Sequence, residues 1–497
     1  MIASGKLVLH LATSSVYGLF IDELYFLACG EHLAWGYVDM PPITAFQAWL
    51  TRGLLGDSLL AIRLIASLAG AALVVLTGLL ARELSGGRFA QGLAALAAAL
   101  APVSLAFHSY LSMNALEPVI WMACALLLAR MIRTRNTRLW IPFGLFAGIG
   151  LLNKHTTLMF GFAVVVGLLL TPERRLLFNR WCLLGGALAF AIFLPNLVWM
   201  ARHGWPFFEL LANIRRDGRD VAFQPLQFLA LQVLFENPAA LPIWVTGLAT
   251  LLAGRLSRPF RPLGIAYLVM LATLLATHGK VYYLSPIYPL LFAAGAGAIE
   301  AWLSRPGRRW VRSAYAGFVL LVGLLLAPTA MPVLSPETYV RYTRALHIGQ
   351  PRIENRAASA LPQFFADRFG WPEMAAAVAR AYRSLPPEER KRTGIFGNDY
   401  GQAGAIDFYG PRLGLPKAIG GHQTYWYWGP REYTGESLIV LGDRQEVLES
   451  KFESVTPVAE IGHPYAMRQE HFTAFLCRGP KGWTSLSEIW PKLKRFN

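Results

Sequence analysis

Acidic side chains gather in one short connector between two apolar segments near the N-terminus. Asp22 and Glu23 follow the first apolar segment, and Asp39 lies in the element Gly-Tyr-Val-Asp-Met-Pro-Pro that precedes the next one. Carboxylates beside a bilayer are costly unless they stay hydrated or take part in chemistry. A carboxylate held there can accept a proton from an attacking hydroxyl group. A lone Asp would favour helix capping, but this set and its spacing favour a catalytic general base.

Two later breaks in the apolar pattern carry an amide, a carboxylate and an amine. Asn114 and Glu117 lie in the first break, where Asn114 could also act as a helix cap. Lys154 lies in the second break. Its ammonium group could extend to the interface with no other role, or it could neutralise a phosphate whose departure creates negative charge. Both interpretations stay open at these residues.

A basic and aromatic element lies where a late apolar segment begins. His278, Lys280, Tyr282 and Tyr283 occur together in the row Thr-His-Gly-Lys-Val-Tyr-Tyr. A cation with tyrosines at a membrane surface is typical of an aromatic belt with an anchoring lysine. The same arrangement suits a polyprenyl phosphate, with the cation on the phosphate and the rings beside the isoprenoid. We favour the phosphate-binding interpretation.

These residues belong to a chain of 497 residues that is 55% hydrophobic and only 15% charged, with a formal charge of +16. A soluble protein rarely has this composition, which is typical of a polytopic membrane protein. The arginines are distributed in small groups between apolar runs, so nucleic acid is rejected as a partner. The 4 cysteines are scattered without a CxxC spacing and indicate neither a thiolate metal site nor a disulfide framework.

Apolar runs long enough to cross a bilayer recur up to residue 331 and predict about eleven α-helical spans. They lie near residues 5–21, 59–81, 89–108, 117–132, 139–153, 156–171, 181–201, 226–252, 263–277, 283–303 and 312–331. Alternate connectors carry the arginines, which the positive-inside rule places in the cytoplasm. The N-terminus is then cytoplasmic, and the polar clusters described above share the outer face.

One predicted outer loop, residues 202–224, is basic although it lies on the side that usually lacks arginine. It contains Arg215, Arg216 and Arg219, and neighbouring aspartates offset part of their charge. The loop is therefore either an ordinary exception to the charge rule or a phosphate site formed by Arg215 and Arg216.

The composition changes after Pro332, where charges and amphipathic segments replace the apolar runs. We therefore predict a transmembrane domain over residues 1–331 and an extracytoplasmic α/β domain over residues 332–497. Its predicted helices lie at 371–385 and near 445–452, and its predicted strands lie at 394–396, 437–441 and 472–477.

Aromatic residues follow one another in the row Tyr-Trp-Tyr-Trp of the C-terminal domain. Tyr425, Trp426 and Trp428 could present ring faces to the apolar faces of an acceptor sugar. The alternative is ordinary domain core and an interface to the membrane portion. A preceding segment, residues 397–409, predicts a strand, a glycine-containing turn and a helix that could present N–H groups to an anion or a sugar.

An acidic pair after the first span, followed by Gly-Tyr-x-Asp-x-Pro-Pro in a long outer loop, resembles the GT-C membrane glycosyltransferases. Within that group the chain is similar to the protein O-mannosyltransferases and the lipid A aminoarabinose transferases (glycosyltransferase families 39 and 83). The resemblance extends over the membrane portion. It implies a GT-C fold, a polyprenyl-phosphate-linked sugar as donor and inversion at the anomeric carbon. It also implies that Asp22 occupies the catalytic acidic position, with Glu23 beside it.

Three residues depart from the family patterns. Asn114 and Glu117 stand where the mannosyltransferases have an arginine-containing form, and Met40 stands where the aminoarabinose branch has a lysine, whose charge Lys154 could supply. Some GT-C enzymes bind a divalent ion, but no two histidines here have ligand spacing on one element. A divalent metal therefore stays open, and no cofactor ligands are assigned.

These observations predict a glycosyltransferase of the bacterial inner membrane that moves a sugar from polyprenyl phosphate, such as undecaprenyl phosphate, to an extracytoplasmic lipid, glycan or protein. A polytopic lipid or solute transporter is one alternative, although a transporter more often shows two related halves and broken spans near the midplane. A non-catalytic protein of envelope-glycan assembly is the other alternative.

Overall fold

The computed structural model describes residues 1–255, 257–305, 307–349, 354–355 and 359–497. Long apolar helices form most of the first two thirds of the chain. These helices are α1 Ile2–Thr13, α2 Ile21–Glu31, α3 Ile43–Leu55, α4 Leu59–Glu83, α5 Arg88–Leu100, α6 Pro102–Phe107, α7 Met113–Thr134, α8 Trp140–Asn153, α9 Thr156–Leu169, α10 Arg180–Arg202, α11 Pro206–Arg216, α12 Pro225–Phe235, α13 Leu241–Ala253, α14 Arg261–Thr277, α15 Tyr288–Leu303 and α16 Arg309–Ala330.

The C-terminal region, residues 332–497, combines short helices with one sheet. Its helices are α17 Pro336–Ala345, α18 Gln363–Ala366, α19 Trp371–Arg383, α20 Pro387–Arg392, α21 Tyr400–Tyr409, α22 Gln445–Glu449 and α23 Leu486–Ile489. Its strands are β1 Thr393–Gly397, β2 Ser437–Leu441, β3 Phe452–Ile461 and β4 Phe472–Pro480. The described part of the chain thus has the predicted fold class, a helical membrane bundle with a small α/β region.

The predicted spans all coincide with a helix or with consecutive helices. Within the described ranges, 6 helices are long and apolar enough to cross a membrane, or up to 7 when α12 and α13 count as one bent span. Three predicted spans are interrupted. In the span 5–21 only the first part is helical, because α1 ends at Thr13 and α2 begins at Ile21. Pro102 separates α5 from α6, and a bend of 98° separates α12 from α13 just before Pro238. Proline removes a helical N–H, which explains the last two breaks. The total of about eleven spans stays a prediction.

The sheet has the strand order β1-β2-β4-β3, in which β1 and β2 are parallel and the other pairs are antiparallel. The predicted strands at 394–396, 437–441 and 472–477 are confirmed as β1, β2 and β4, and the helix predicted at 371–385 is confirmed as α19. Strand β3 was not predicted. It begins at Phe452 and ends the helix predicted near 445–452 early, at Glu449.

The C-terminal region packs directly on α2 through α21. Residues of α2, α19, α21 and the sheet share one buried apolar cluster, which includes Leu24, Ile406 and Ile439. The helices approach closely at Gly404, where an added Cβ would lie 2.9 Å from the carbonyl carbon of Leu24. A side chain there would separate the helices. This contact brings the first residue of α21, Tyr400, over the start of α2.

Candidate functional site

Helix α2 carries the acidic pair at its N-terminus. The backbone is extended at Phe20 and enters the helix at Ile21, so Asp22 and Glu23 lie in the first turn. The helix dipole and the unpaired N–H groups of a first turn stabilise negative charge there. The N–H of Phe20 donates to Oε2 of Glu23 at 2.9 Å. The two carboxylates then extend into different surroundings.

Asp22 and Asp39 lie close together at one end of the helical bundle. The Tyr400 hydroxyl donates to Oδ1 of Asp22 at 2.8 Å, and the Tyr25 hydroxyl donates to Oδ1 of Asp39 at 2.8 Å. The rings of Tyr25 and Tyr400 are 5.0 Å apart. Burial and the charge of Asp22 raise the pKa of Asp39 to about 6, although the bond from Tyr25 acts in the opposite direction. The structure thus brings two of the three predicted catalytic carboxylates together.

Glu23, the third of them, is fully buried and fully engaged. Arg63 donates to both carboxylate oxygens, at 3.0 Å through Nε and 2.6 Å through Nη2. The N–H of Leu111 donates to Oε1 at 2.8 Å. Burial alone would raise the pKa of Glu23, but the charge and hydrogen bonds of Arg63 lower it below its usual range. Both carboxylate oxygens of Glu23 are occupied by these bonds, which favours a structural role over the predicted catalytic role.

Asn114, Glu117 and Lys154 form a second cluster. The Lys154 ammonium lies 2.8 Å from Oε2 of Glu117 and donates to Oδ1 of Asn114 at 2.8 Å. The same ammonium lies 4.3 Å from the ring centroid of Tyr283 and 5.7 Å from that of Tyr282. Lys154 therefore does not simply extend to the interface. It joins the two predicted polar connectors to the predicted tyrosine pair.

Tyr110 connects this second cluster to the carboxylates. Asn114 donates to the Tyr110 hydroxyl at 3.5 Å. Burial and the nearby negative charge of Asp22 raise the pKa of Tyr110. Hydrogen bonds thus connect Lys154, Asn114 and Tyr110, and Asp22 lies near enough to Tyr110 to act on it electrostatically.

Lys280 faces Asp220 and Glu354, two residues that pair with each other through their backbones. Its ammonium lies 3.2 Å from Oδ1 of Asp220 and 3.3 Å from Oε1 of Glu354. Burial lowers the pKa of Lys280, but Tyr283 and these two carboxylates outweigh that effect and raise it. Lys280 is therefore a firmly charged cation. His278 lies apart from it, as the exposed left-handed residue that ends α14.

The basic loop contributes a different arginine from those selected on sequence. Arg215 and Arg216 are exposed, and Arg216 pairs with the adjacent Asp217 at 3.2 Å. Arg219 instead lies near enough to Asp39 to oppose the rise in its pKa. It also influences Lys280. Arg219 is thus near enough to act electrostatically on both Asp39 and Lys280, and it pairs with Asp220 at 3.5 Å. No sequence pattern distinguished it from its neighbours.

The aromatic row lies mainly in contacts between parts of the protein. Tyr425 is only 1% exposed and donates to Oδ2 of Asp407 at 2.9 Å. Its ring face cannot stack on a sugar, so its predicted role as an acceptor contact is corrected to domain core. Trp426 donates to the carbonyl of Trp490 at 3.0 Å. Trp428 stacks on His32 of the first loop at 4.2 Å. These contacts match the alternative of core plus interface.

The described residues contain no group of three or more His, Cys, Asp or Glu side chains arranged to hold a metal ion. The histidines considered on sequence have other contacts. His32 stacks on Trp428, and His155 lies 3.3 Å from Oδ1 of Asn196. The ligand set of a divalent ion thus stays unassigned.

Comparisons with known proteins place these features in a family context. Residues 39–199 match the family model described as Dolichyl-phosphate-mannose-protein mannosyltransferase. The chain also resembles crystal structures of ArnT from Cupriavidus metallidurans, bound to undecaprenyl phosphate and in the apo state. Both are 15% identical and align over 97% of this chain and 98% of that chain, with TM-scores of 0.62 and 0.63. Comparison with curated proteins found no match. The predicted resemblance and fold class are confirmed.

Proposed function

We propose that this membrane glycosyltransferase of the GT-C class moves a sugar from a polyprenyl-phosphate donor to a hydroxyl acceptor at the outer face of a bacterial inner membrane. The observation that carries the proposal is the meeting of Asp22 and Asp39 with a cationic and aromatic network. Its cations are Arg219, Lys280 and Lys154. Carboxylates suit an acceptor hydroxyl, and cations suit a departing phosphate. The solved ArnT complex with undecaprenyl phosphate supports a donor of this lipid class.

Asp22 is the general base in the proposed reaction. Its carboxylate accepts the proton of the acceptor hydroxyl while the hydroxyl oxygen forms a bond to the anomeric carbon. The bond between that carbon and the phosphate oxygen breaks, and its electron pair leaves with the polyprenyl phosphate. Attack opposite to the leaving group inverts the anomeric configuration. Because a phosphate ester is a good leaving group, positioning and electrostatic stabilisation supply most of the acceleration.

The phosphate is held on the side of Lys280. Lys280 is a firmly charged cation between two carboxylates, with Tyr283 beside it. Arg219 is near enough to act electrostatically on both Lys280 and Asp39, so the sugar that joins phosphate and acceptor would bind beside it. The Lys154 ammonium lies 4.3 Å from the ring centroid of the same tyrosine, and Glu117 neutralises part of its charge. Lys280 and Arg219 are paired with carboxylates as well, Lys280 with Asp220 and Glu354 and Arg219 with Asp220. All three cations therefore contribute to phosphate binding in the proposed reaction.

Replacing Lys280 by Met is expected to raise the KM for the lipid donor about tenfold, because a hydrogen bond to a charged partner contributes about 1.5 kcal/mol or more. A smaller decrease in kcat should accompany it. The measurement is initial transfer rate against donor concentration in liposomes. Lys417→Met is the control, because Lys417 pairs with Glu31 at a partly exposed site. An unchanged KM in Lys280→Met would remove Lys280 from the phosphate site.

The rate of transfer is expected to fall as the pH decreases through about 6, because burial and the charge of Asp22 raise the pKa of Asp39 to about 6. The sign follows from the raised value: Asp39 is ionised above it and neutral below it. Tyr25, Asp22 and Arg219 are the groups facing Asp39, and its ionised form is the one that attracts Arg219. At pH 5 only about a tenth of the protein would keep the Asp39 carboxylate.

The check is a pH profile of kcat in liposomes between pH 5 and 8, for the wild type and for Asp39→Asn. The variant should show at pH 7 the reduced rate that the wild type approaches at pH 5, and it should lack the decrease near pH 6. A wild-type rate that stays constant from pH 5 to 7 would contradict this role of Asp39.

The proposed function itself is tested by reconstituting the purified protein with labelled polyprenyl-phosphate sugars. Lipid, glycan and peptide acceptors are supplied in separate reactions. Release of free polyprenyl phosphate together with a labelled acceptor would establish the donor and identify the acceptor class. Movement of an intact donor across the bilayer, with no release, would instead support the transporter. Binding of glycan without either event would support a non-catalytic assembly protein.

A further inference from the structure

Tyr400 connects the C-terminal region to the proposed general base. It is the first residue of α21, whose N-terminus is capped by Asp399. Its hydroxyl reaches Oδ1 of Asp22, 378 positions away in sequence, at 2.8 Å. The close packing at Gly404 keeps α21 against α2. The C-terminal region therefore contributes a hydrogen-bond donor directly to the catalytic end of the bundle.

The position of Tyr400 is itself fixed by a buried histidine. The Tyr400 N–H donates to Nδ1 of His422 at 3.2 Å, and the two rings lie 4.9 Å apart. Nδ1 of His422 also lies 3.2 Å from Oδ2 of Asp399. Burial alone would raise the pKa of Asp399, but its contacts with His422 and Gly401 lower it to about 2. The bond from the Tyr400 N–H to His422 and the bond from the Gly401 N–H to Asp399 hold the first turn of α21 in one orientation.

A second contact from the same region reaches the other carboxylate. Oγ1 of Thr424 lies 2.5 Å from the Tyr25 hydroxyl, which donates to Asp39. Thr424 also accepts from the N–H of Val38 at 3.2 Å. Each carboxylate thus receives a tyrosine hydroxyl, and the C-terminal region provides one tyrosine and holds the other.

We propose that Tyr400 is a positioning residue for the transfer reaction, which fixes the carboxylate plane of Asp22 so that it faces the acceptor hydroxyl. The inference rests on the proposed function. A hydrogen bond to the charged form of a carboxylate favours that form, so Tyr400 also keeps Asp22 ready to accept a proton. The C-terminal region is then part of the active site and is required for the rate of transfer.

The test is Tyr400→Phe, which removes one hydroxyl and keeps the ring that packs on Tyr25. We expect kcat to fall about tenfold with little change in the KM for the donor. Tyr465→Phe is the matched control. It removes an equivalent tyrosine bond, 2.7 Å to Oε1 of Glu337, at an exposed site. It should leave both quantities unchanged.

A second readout does not depend on transfer. Carbodiimide reacts with protonated carboxyl groups, so the extent of labelling at Asp22, measured by mass spectrometry against pH, follows its protonation. In Tyr400→Phe the labelling midpoint should shift upward by about one unit. If the labelling midpoint did not shift, or if Tyr400→Phe kept the wild-type kcat although Asp22→Asn lost activity, the inference about Tyr400 would be overturned. The proposed function would be unaffected by either result. Absence of any donor consumption by the wild type would instead overturn the proposed function, and the labelling midpoint would still decide the role of Tyr400.

Discussion

Asp22→Asn is expected to lower kcat for sugar transfer by about 10³-fold, within the range found for removal of a general base. Asn keeps the shape of Asp, and its amide oxygen can still accept the bond from Tyr400. The donor site around Lys280 and Tyr283 is untouched, so the KM for the donor should stay within about twofold. The measurement is release of polyprenyl phosphate by reconstituted protein under saturating acceptor.

Asp57→Asn is the matched control for this substitution. Asp57 also lies near the first loop and forms ion pairs, with Arg52 at 2.7 Å and Arg412 at 3.3 Å. Those pairs are partly exposed, and pairs of that kind contribute little. The control should transfer sugar at the wild-type rate. If Asp22→Asn kept more than about a tenth of wild-type kcat, Asp22 would not be the base, and Asp39 would become the candidate.

The sequence predicted the carboxylate pair because both members lie in one loop beside one span. Asp22 and Asp39 are 17 positions apart, and the charge pattern of the connectors placed that loop on a single face with the other clusters. Local information was sufficient. The contact between Lys154 and Tyr283 agrees with the sequence analysis in the same way, because their connectors were assigned to the same outer face of the membrane.

The partners of these carboxylates could not be predicted in the same way. Tyr400 and Thr424 come from the C-terminal region, and their contacts depend on how the sheet docks on α2. Arg219 differs from Arg215 and Arg216 because it lies beyond the end of α11. Its carbonyl accepts from the N–H of Asn355 at 2.9 Å, and its neighbour Asp220 pairs with Glu354. No periodicity in the sequence specifies a contact between segments so far apart.

Two errors have local physical causes. The aromatic row was read as a ligand surface, but a 3-10 turn over Gln423–Trp428 directs its rings in several directions, and Tyr425 faces the core. Strand β3 was missed because it is an edge strand with a charged, exposed pattern and an internal Pro457. Such features usually argue against a strand. Because β3 is an edge strand, its charged residues and its internal proline are tolerated here.

Glu23→Gln is expected to lower the free energy of unfolding by about 3 to 5 kcal/mol, because it leaves Arg63 as an uncompensated buried charge. The Glu23 and Arg63 side chains are 0% and 1% exposed, and Arg368 adds a second buried cation nearby. The lowered pKa of Glu23 gives the same pair a pH dependence. Its stabilisation is present above the usual carboxyl pKa and is lost as the pH falls toward the lowered value.

The measurement is denaturant unfolding in detergent, with Glu31→Gln as control. Glu31 pairs with Arg52 and Lys417 at partly exposed positions, so its loss should cost at most about 1 kcal/mol. A cost for Glu23→Gln as small as that of the control would contradict a structural ion pair.

A double-mutant cycle decides between this structural role and the catalytic role predicted for Glu23. If the pair is structural, Glu23→Gln combined with Arg63→Gln should destabilise the protein by about 2 kcal/mol less than the sum of the single variants. Transfer per folded molecule should then be similar in the double variant and the Arg63→Gln variant, because Asp22 is intact in both. If Glu23 accepts the proton instead, every variant lacking it should be inactive even when folded. The buried bonds from Arg63 and Leu111 favour the first result, since a carboxylate saturated by donors is a poor base.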